Sequence, residues 1–176
     1  MDIKIKIEGI NEVRRSIDPR RYTKIMTRTL NKVGAQGKTA ISQQLRKTYN
    51  IKKDRIDKSF SIRKASNASL TYEMRIKGRS PGLQHYDARQ ARKGVTVKII
   101  KASGRKVVKS GFMAKTPQGA MAVWRRVGAE RMPIERLYGP SVVGMANKVG
   151  INSFQAVVND KINKVFAHEF EWEMAR

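Results

Sequence analysis

The chain has 176 residues, which suits a single domain, and 40% of them are hydrophobic, enough for a buried core and too many for a wholly disordered chain. It carries 38 Lys and Arg against 14 Asp and Glu, a formal net charge of +24 that sets free copies against one another and draws them to nucleic acid, acidic proteins or anionic membranes. Cysteine is absent, which excludes disulfides, thiolate metal sites and a cysteine nucleophile.

At the N-terminus Ile3, Ile5 and Ile7 alternate with Lys4, Lys6 and Glu8 ahead of Gly9, the pattern of an opening strand. This is not the continuous apolar stretch of a signal peptide, and no later segment reaches the ~18–20 apolar residues of a membrane span. A soluble chain with no membrane partner is expected. Asp18-Pro19 sets an N-cap before a proline in the first turn, and Tyr22, Ile25, Met26, Leu30, Val33, Ala40, Ile41 and Leu45 follow at helical spacing. The spacing predicts one long amphipathic helix ending near Tyr49. Gly34 and Gly37 each weaken it by roughly 1 kcal/mol relative to alanine, which points to a bend or a close helix contact.

Residues 52–58 suit a short helix. Phe60–Arg63 and Leu70–Ile76 read as strands joined around Asn67. Residues 80–94, rich in polar, basic and turn residues, read as a mobile loop. Val95–Ile100 and Val107-Val108 then suit a basic hairpin about a Ser103-Gly104 turn, and Phe112–Ala114 and Ala122–Val127 flank a turn at 116–119. Ser141 caps a short helix running through Val149. The last helix is expected at 152–174, with Phe154, Val157, Val158, Ile162, Val165, Phe166 and Phe170 as its apolar stripe. Strand, long helix, a run of strands and then helices is an α+β order. It predicts a single domain over residues 1–176, an antiparallel sheet covered by the long N-terminal helix and the C-terminal helices.

The charge is uneven. Residues 151–176 hold Lys161, Lys164 and Arg176 against Asp160, Glu169, Glu171 and Glu173, a net of −1, so residues 1–150 carry +25. Any one basic cluster suits a solvated face. Together they call for a counterweight, either a phosphate backbone or the acidic surface of a partner. Arg92, Lys93, Lys98, Lys101, Arg105, Lys106, Arg125 and Arg126 are the candidate contacts. Glu169, Glu171 and Glu173 are candidates for pairing with the basic N-terminal helix of a neighbouring copy. No zinc-finger spacing, RNP-like strand or KH-like GXXG loop occurs, so contact with nucleic acid would be non-specific.

Catalysis needs a positioned acid, base or nucleophile, and no motif supplies one. His85 in the loop and His168 on the last helix read as surface or packing residues. Asp54, Asp57 and Glu73 would have to converge in space to make a metal-dependent nuclease. The sequence therefore predicts a protein that is not an enzyme and has no cofactor. A free, non-specific nucleic-acid-binding protein is the alternative to a structural one.

The most specific segment is Arg131-Met132-Pro133-Ile134-Glu135-Arg136-Leu137-Tyr138-Gly139-Pro140-Ser141-Val142. As local geometry it is a strand that turns tightly and enters a helix. It also resembles the P-I-x-x-L-x-G-P-S-[VI] stretch of the minor tail protein Z family of lambda-like phages and prophages, departing at Val143-Gly144, where a proline and a polar residue often follow. The opening strand, the long basic helix around Asn31-Lys32-Val33-Gly34 and the basic central strands are similar too. The resemblance spans nearly the whole chain, and Pro133, Ile134, Leu137, Gly139, Pro140 and Ser141 carry it as structural positions. It implies a virion protein made in the host cytoplasm and placed in the tail, at the head-proximal neck. There it would help complete the tail and join it to the head. It further implies a homo-oligomeric ring, a hexamer being one arrangement. The tail terminator and other neck or tail-tube proteins would be its neighbours, and the genomic DNA would lie alongside.

Overall fold

A computed structural model describes residues 1–5 and 17–175. Lys6–Gly9 of the expected opening strand, and Arg176, lie outside the described residues.

The longest element is helix α1, Pro19–Thr48. It begins where the sequence predicts, because the Asp18 carboxylate accepts from the N–H groups of Arg20 at 2.7 Å and Arg21 at 3.2 Å, and Pro19 needs no hydrogen-bond acceptor in the first turn. These bonds, to Arg21 and then Arg20, hold the Asp18 carboxyl below its ordinary value. The helix ends at Tyr49, whose N–H returns to the Leu45 carbonyl at 2.7 Å. Ile25, Met26, Leu30, Val33, Ile41 and Leu45 are its fully buried apolar face.

Strand β1 (Asp2–Ile5), the short helix α2 (Lys53–Asp57), β2 (Phe60–Arg63) and β3 (Tyr72–Ile76) follow the sequence closely. The three strands form an antiparallel sheet in the order β1-β3-β2. Its register aligns Ile3, Met74 and Ile62, and Ile5 with Tyr72, on one face; Lys4 sits beside Glu73 and Asp2 beside Arg75 on the other. The apolar face meets α1 at Gly34, where any Cβ would run into the Tyr72 ring.

Two further antiparallel sheets stand in chain order: β4 (Arg89–Ala91), β5 (Gly94–Val97) and β6 (Lys106–Lys109), then β7 (Gly111–Lys115), β8 (Met121–Arg126) and β9 (Ile134–Arg136). The strands thus make three small sheets where the sequence reading expected one. Strand β5 ends at Val97, and the left-handed Ser110 (φ 58°) separates β6 from β7. Ile99 and Ile100, expected in the hairpin, leave it and bond the end of α1, with the Ile99 carbonyl accepting from Asn50 N–H at 2.8 Å.

Residues 80–94, expected as a loop, hold a 3₁₀ turn at Leu83–His85 and strand β4. Leu83 and Tyr86 are buried there. Turn residues dominate the composition of this stretch, and two anchoring side chains outweigh them.

Helix α3 (Val142–Met145) continues through one wider turn with i→i+5 bonding at Ala146–Gly150 into α4 (Ile151–Met174), with no break between them. Helix α4 runs back along α1: Gly150 lies against Ile41, and the Phe154 ring occupies the space a Cβ on Gly37 would need. Gly34 and Gly37 are close-approach positions, one for a strand and one for a helix. Of the predicted α4 stripe Phe154 is buried, and the others are half-buried.

Candidate functional site

The motif segment is a junction. In β9 Ile134 pairs with Arg126, and Glu135 takes the Arg125 guanidinium, with Nε at 2.8 Å. Leu137 then bonds in two directions, its N–H donating to the Val123 carbonyl at 2.9 Å and its carbonyl accepting from Leu83 N–H at 3.0 Å. Gly139 donates to the Pro81 carbonyl at 2.8 Å, and a Cβ there would strike the Tyr86 ring. The Tyr86 hydroxyl donates to the Pro140 carbonyl at 2.7 Å, and burial pushes its pKa well above the ordinary phenol value. Ser141 closes the segment, its Oγ accepting from Gly144 N–H at 3.1 Å as the N-cap of α3. The segment ties the third sheet to residues 81–86 and launches the last helices. Arg131, Met132, Pro133 (preceded by a cis peptide bond) and Tyr138 are exposed, Val142 is buried, and the rest of the segment is partly covered.

Between residues 89 and 131 there are twelve Lys and Arg and one acid, Glu130. The structure divides the eight predicted contact residues. Arg105 is held by Asp87, donating to its carboxylate and to its carbonyl at 2.8 Å, and Arg125 is held by Glu135. Asp87 stands at φ 49°. Its burial works against ionisation, but the bonds from Arg89 and Arg105 outweigh this and leave its pKa below the ordinary value. Arg92, Lys93, Lys98, Lys101, Lys106 and Arg126 make no ion pair among the described residues. The Arg126 guanidinium lies over the Phe112 ring, 5.8 Å from its centroid. Arg92, Lys93 and Arg126 line one open concavity together with Gln90 and Phe112, while Lys98 and Lys101 lie in the β5–β6 connection, Lys106 begins β6, and none of the three lines that concavity. Sequence reasoning had singled out neither Gln90 nor Phe112. The signal for them is long range, since Gln90 bonds Met113 N–H at 2.8 Å from 23 residues away.

Glu169 and Glu173 of α4 are paired within the chain. Glu169 is 3% exposed and is bound by Lys32; Glu173, 7% exposed, accepts from Arg28 Nη1 at 2.7 Å, with Lys24 at 3.8 Å. Pairing of these two glutamates with α1 was expected between copies, and the structure places it inside one copy. Charge complementarity between two helices does not tell which copy supplies the partner. Glu171 is exposed.

His85 is half-buried beside Gln84, and burial, with Arg55, Arg136 and Lys52 nearby, holds its pKa below the ordinary imidazole value. The carboxylates weighed for a nuclease do not gather: Asp54 pairs with Lys58, Asp57 with Lys53 and Lys38, and Glu73 with Lys4. Among the described residues no group of three or more His, Asp and Glu side chains is placed to hold a metal ion, and no helix is long and apolar enough to cross a membrane.

These features describe a small basic α+β protein whose most distinctive residues serve its own architecture. The family of prophage minor tail protein Z (GPZ) matches residues 4–176, and the chain belongs to that family. No curated protein and no protein of solved structure matches it significantly.

Proposed function

We propose that the protein is a non-enzymatic subunit at the head-proximal end of the phage tail. It completes the tail and supports joining to the filled head, as a ring of copies around the path of the DNA. One observation carries the reading. In a chain of this tail-protein family, the buried acids of the last helix are satisfied internally, while six of the eight candidate cations of the central sheets make no ion pair among the described residues. A surface of that kind is stable beside a polyanion or an acidic neighbour and repels a bare copy of itself. The tail terminator, the tail-tube protein and the genomic DNA are the neighbours this reading assigns. Assembly in the host cytoplasm would precede incorporation into the virion tail.

The test is deletion of the gene from an inducible prophage, with a tagged copy supplied in trans and located on virions by immunogold labelling. The expected result is loss of infectivity without the gene, and label at the head–tail junction with several copies per particle. Label at the distal tip would overturn the placement. Absence from purified particles, with recovery on host nucleic acid, would favour a free nucleic-acid-binding protein instead.

A further inference from the structure

Where the turn between β4 and β5 meets the end of β8, the surface folds into an open concavity of about 560 Å³. Arg92 and Lys93 on the turn and Arg126 on β8 supply its cations, and Gly94, Ser110, Gly111 and Phe112 line it between them. This lining is low because side chains are excluded from it. Gly94 has φ +133°, and a Cβ there would strike the Val108 carbonyl oxygen.

The surround is braced. Gln90 Nε2 donates to the carbonyls of Ala91 and Gly94, both at 3.2 Å, and its Oε1 accepts from Met113 N–H, which stitches the β4–β5 turn to β7. Phe112, rather than a carboxylate, holds Arg126. Among the described residues no acidic one lines the concavity.

We infer that this concavity binds the phosphodiester backbone of nucleic acid, with Arg92, Lys93 and Arg126 contacting phosphates. Cations gathered without a carboxylate repel one another, and a bound polyanion removes that repulsion while releasing its own counterions. The two guanidinium groups match pairs of phosphate oxygens, and Lys93 acts as a point charge. An acidic protein surface fits less well. Protein interfaces draw affinity from buried aromatic or aliphatic anchors, and the one aromatic ring lining this concavity is already covered by Arg126. The amide of Gln90 is engaged with backbone, so the site contacts phosphates without reading bases. The inference stands on the geometry of the concavity and does not depend on where in the tail the protein sits.

The experiment is fluorescence anisotropy of the full-length protein with a short labelled DNA duplex of arbitrary sequence, over salt from about 50 to about 200 mM. The wild type is expected to bind with affinity falling steeply as salt rises. The triple variant R92E/K93E/R126E is expected to lose at least about tenfold in affinity and to show a salt slope lower by about two to three. K47E/K148E/K161E, which removes the same charge from exposed positions elsewhere, is expected to retain most of the binding. Circular dichroism verifies folding. Should the triple variant misfold, R92Q/K93Q on the exposed turn is read instead, with a slope lower by about one to two. Equal loss in the charge-matched variant would assign binding to bulk charge and overturn the inference. So would a groove variant that binds like the wild type, or a wild type that binds polyglutamate but not the duplex.

Discussion

In the helical layer Glu169 and Glu173 lie buried between α4 and α1, each with a cation of α1 beside it; in the β4–β6 sheet and its connections, Arg92, Lys93, Lys98, Lys101 and Lys106 make no ion pair with a carboxylate among the described residues. Both regions are rich in Lys and Arg, yet only the first meets its cations with buried carboxylates from the same chain. The net charge of +24 is therefore not a uniform coat. A cation of α1 that pairs with α4 holds the fold together, whereas Arg92, Lys93, Lys98, Lys101 and Lys106, unlike Arg105 and Arg125, make no ion pair among the described residues and are open to a partner from outside the chain. Mutating the two kinds should give opposite results, stability in one case and binding in the other.

The largest expected effect is at the buried acids. E169K/E173K would set like charge against Lys32 and Arg28 in a nearly closed space. Because Lys32 and Arg28 are themselves partly in water, the loss is expected at about 3 kcal/mol in all rather than the full penalty for two deeply buried pairs. Urea unfolding would measure it. E171K, at an exposed position between them, is the control and should leave the monomer's stability unchanged. If E171K alone alters self-association, the contact between copies resides at Glu171, and the comparison gains a third class of charge.

Next come the glycines that let the helical layer close. An alanine in mid-helix ordinarily stabilises by about 1 kcal/mol relative to glycine. At Gly37 the new methyl would occupy space held by the Phe154 ring, and at Gly34 space held by Tyr72, both rings being buried. Overpacking of this kind costs about 1–3 kcal/mol, so G37A and G34A are each expected to destabilise in spite of the propensity gain. A G37A protein as stable as the wild type would mean that α4 gives way easily, and that the ion pairs rather than the packing hold it.

These glycines show how far the sequence could be read. Their place inside a strongly periodic helix already marked a bend or a close contact, because nothing else explains a poor helix former there. Elements set by local periodicity and capping were legible in the same way: α1 from Asp18 to Tyr49, the strands of the first sheet, and α4. Division of the strands into three sheets was not, because it depends on register and on turns such as Ser110 that carry no sequence signature of their own. The partition of the cations was hidden for a similar reason. Asp87 and Arg105 are 18 residues apart, and Lys32 and Glu169 are 137 apart, so only the fold decides which charges cancel. Within the motif, Gly139, Pro140 and Ser141 were legible as a turn and a cap. Tyr86, which fixes them in place, gave no sign of that role.

On the sheet side, this junction adds a contact between neutral groups. Y86F removes the hydrogen bond to the Pro140 carbonyl and keeps the buried ring against Gly139, so a loss of about 1 kcal/mol is expected. The loss should be nearly independent of salt, since both groups are neutral, whereas the penalty of E169K/E173K should shrink as salt rises. A strong salt dependence for Y86F would break the contrast between the regions.

The smallest effect lies at the exposed start of α1, where Asp18 caps the helix through the N–H groups of Arg20 and Arg21. Its carboxyl is held below the ordinary value of 3.8 in the folded chain, so the folded state favours the ionised form. A depressed pKa contributes stability that is fully present above the unfolded value and is lost as pH falls through the folded value. D18A should therefore melt below the wild type near neutral pH. The gap between the two should begin to close as pH drops past the ordinary carboxylate range, and vanish in stronger acid. Thermal melts of both proteins across that range measure it. A gap that persists in strong acid would assign the role of Asp18 to packing instead of to its charge.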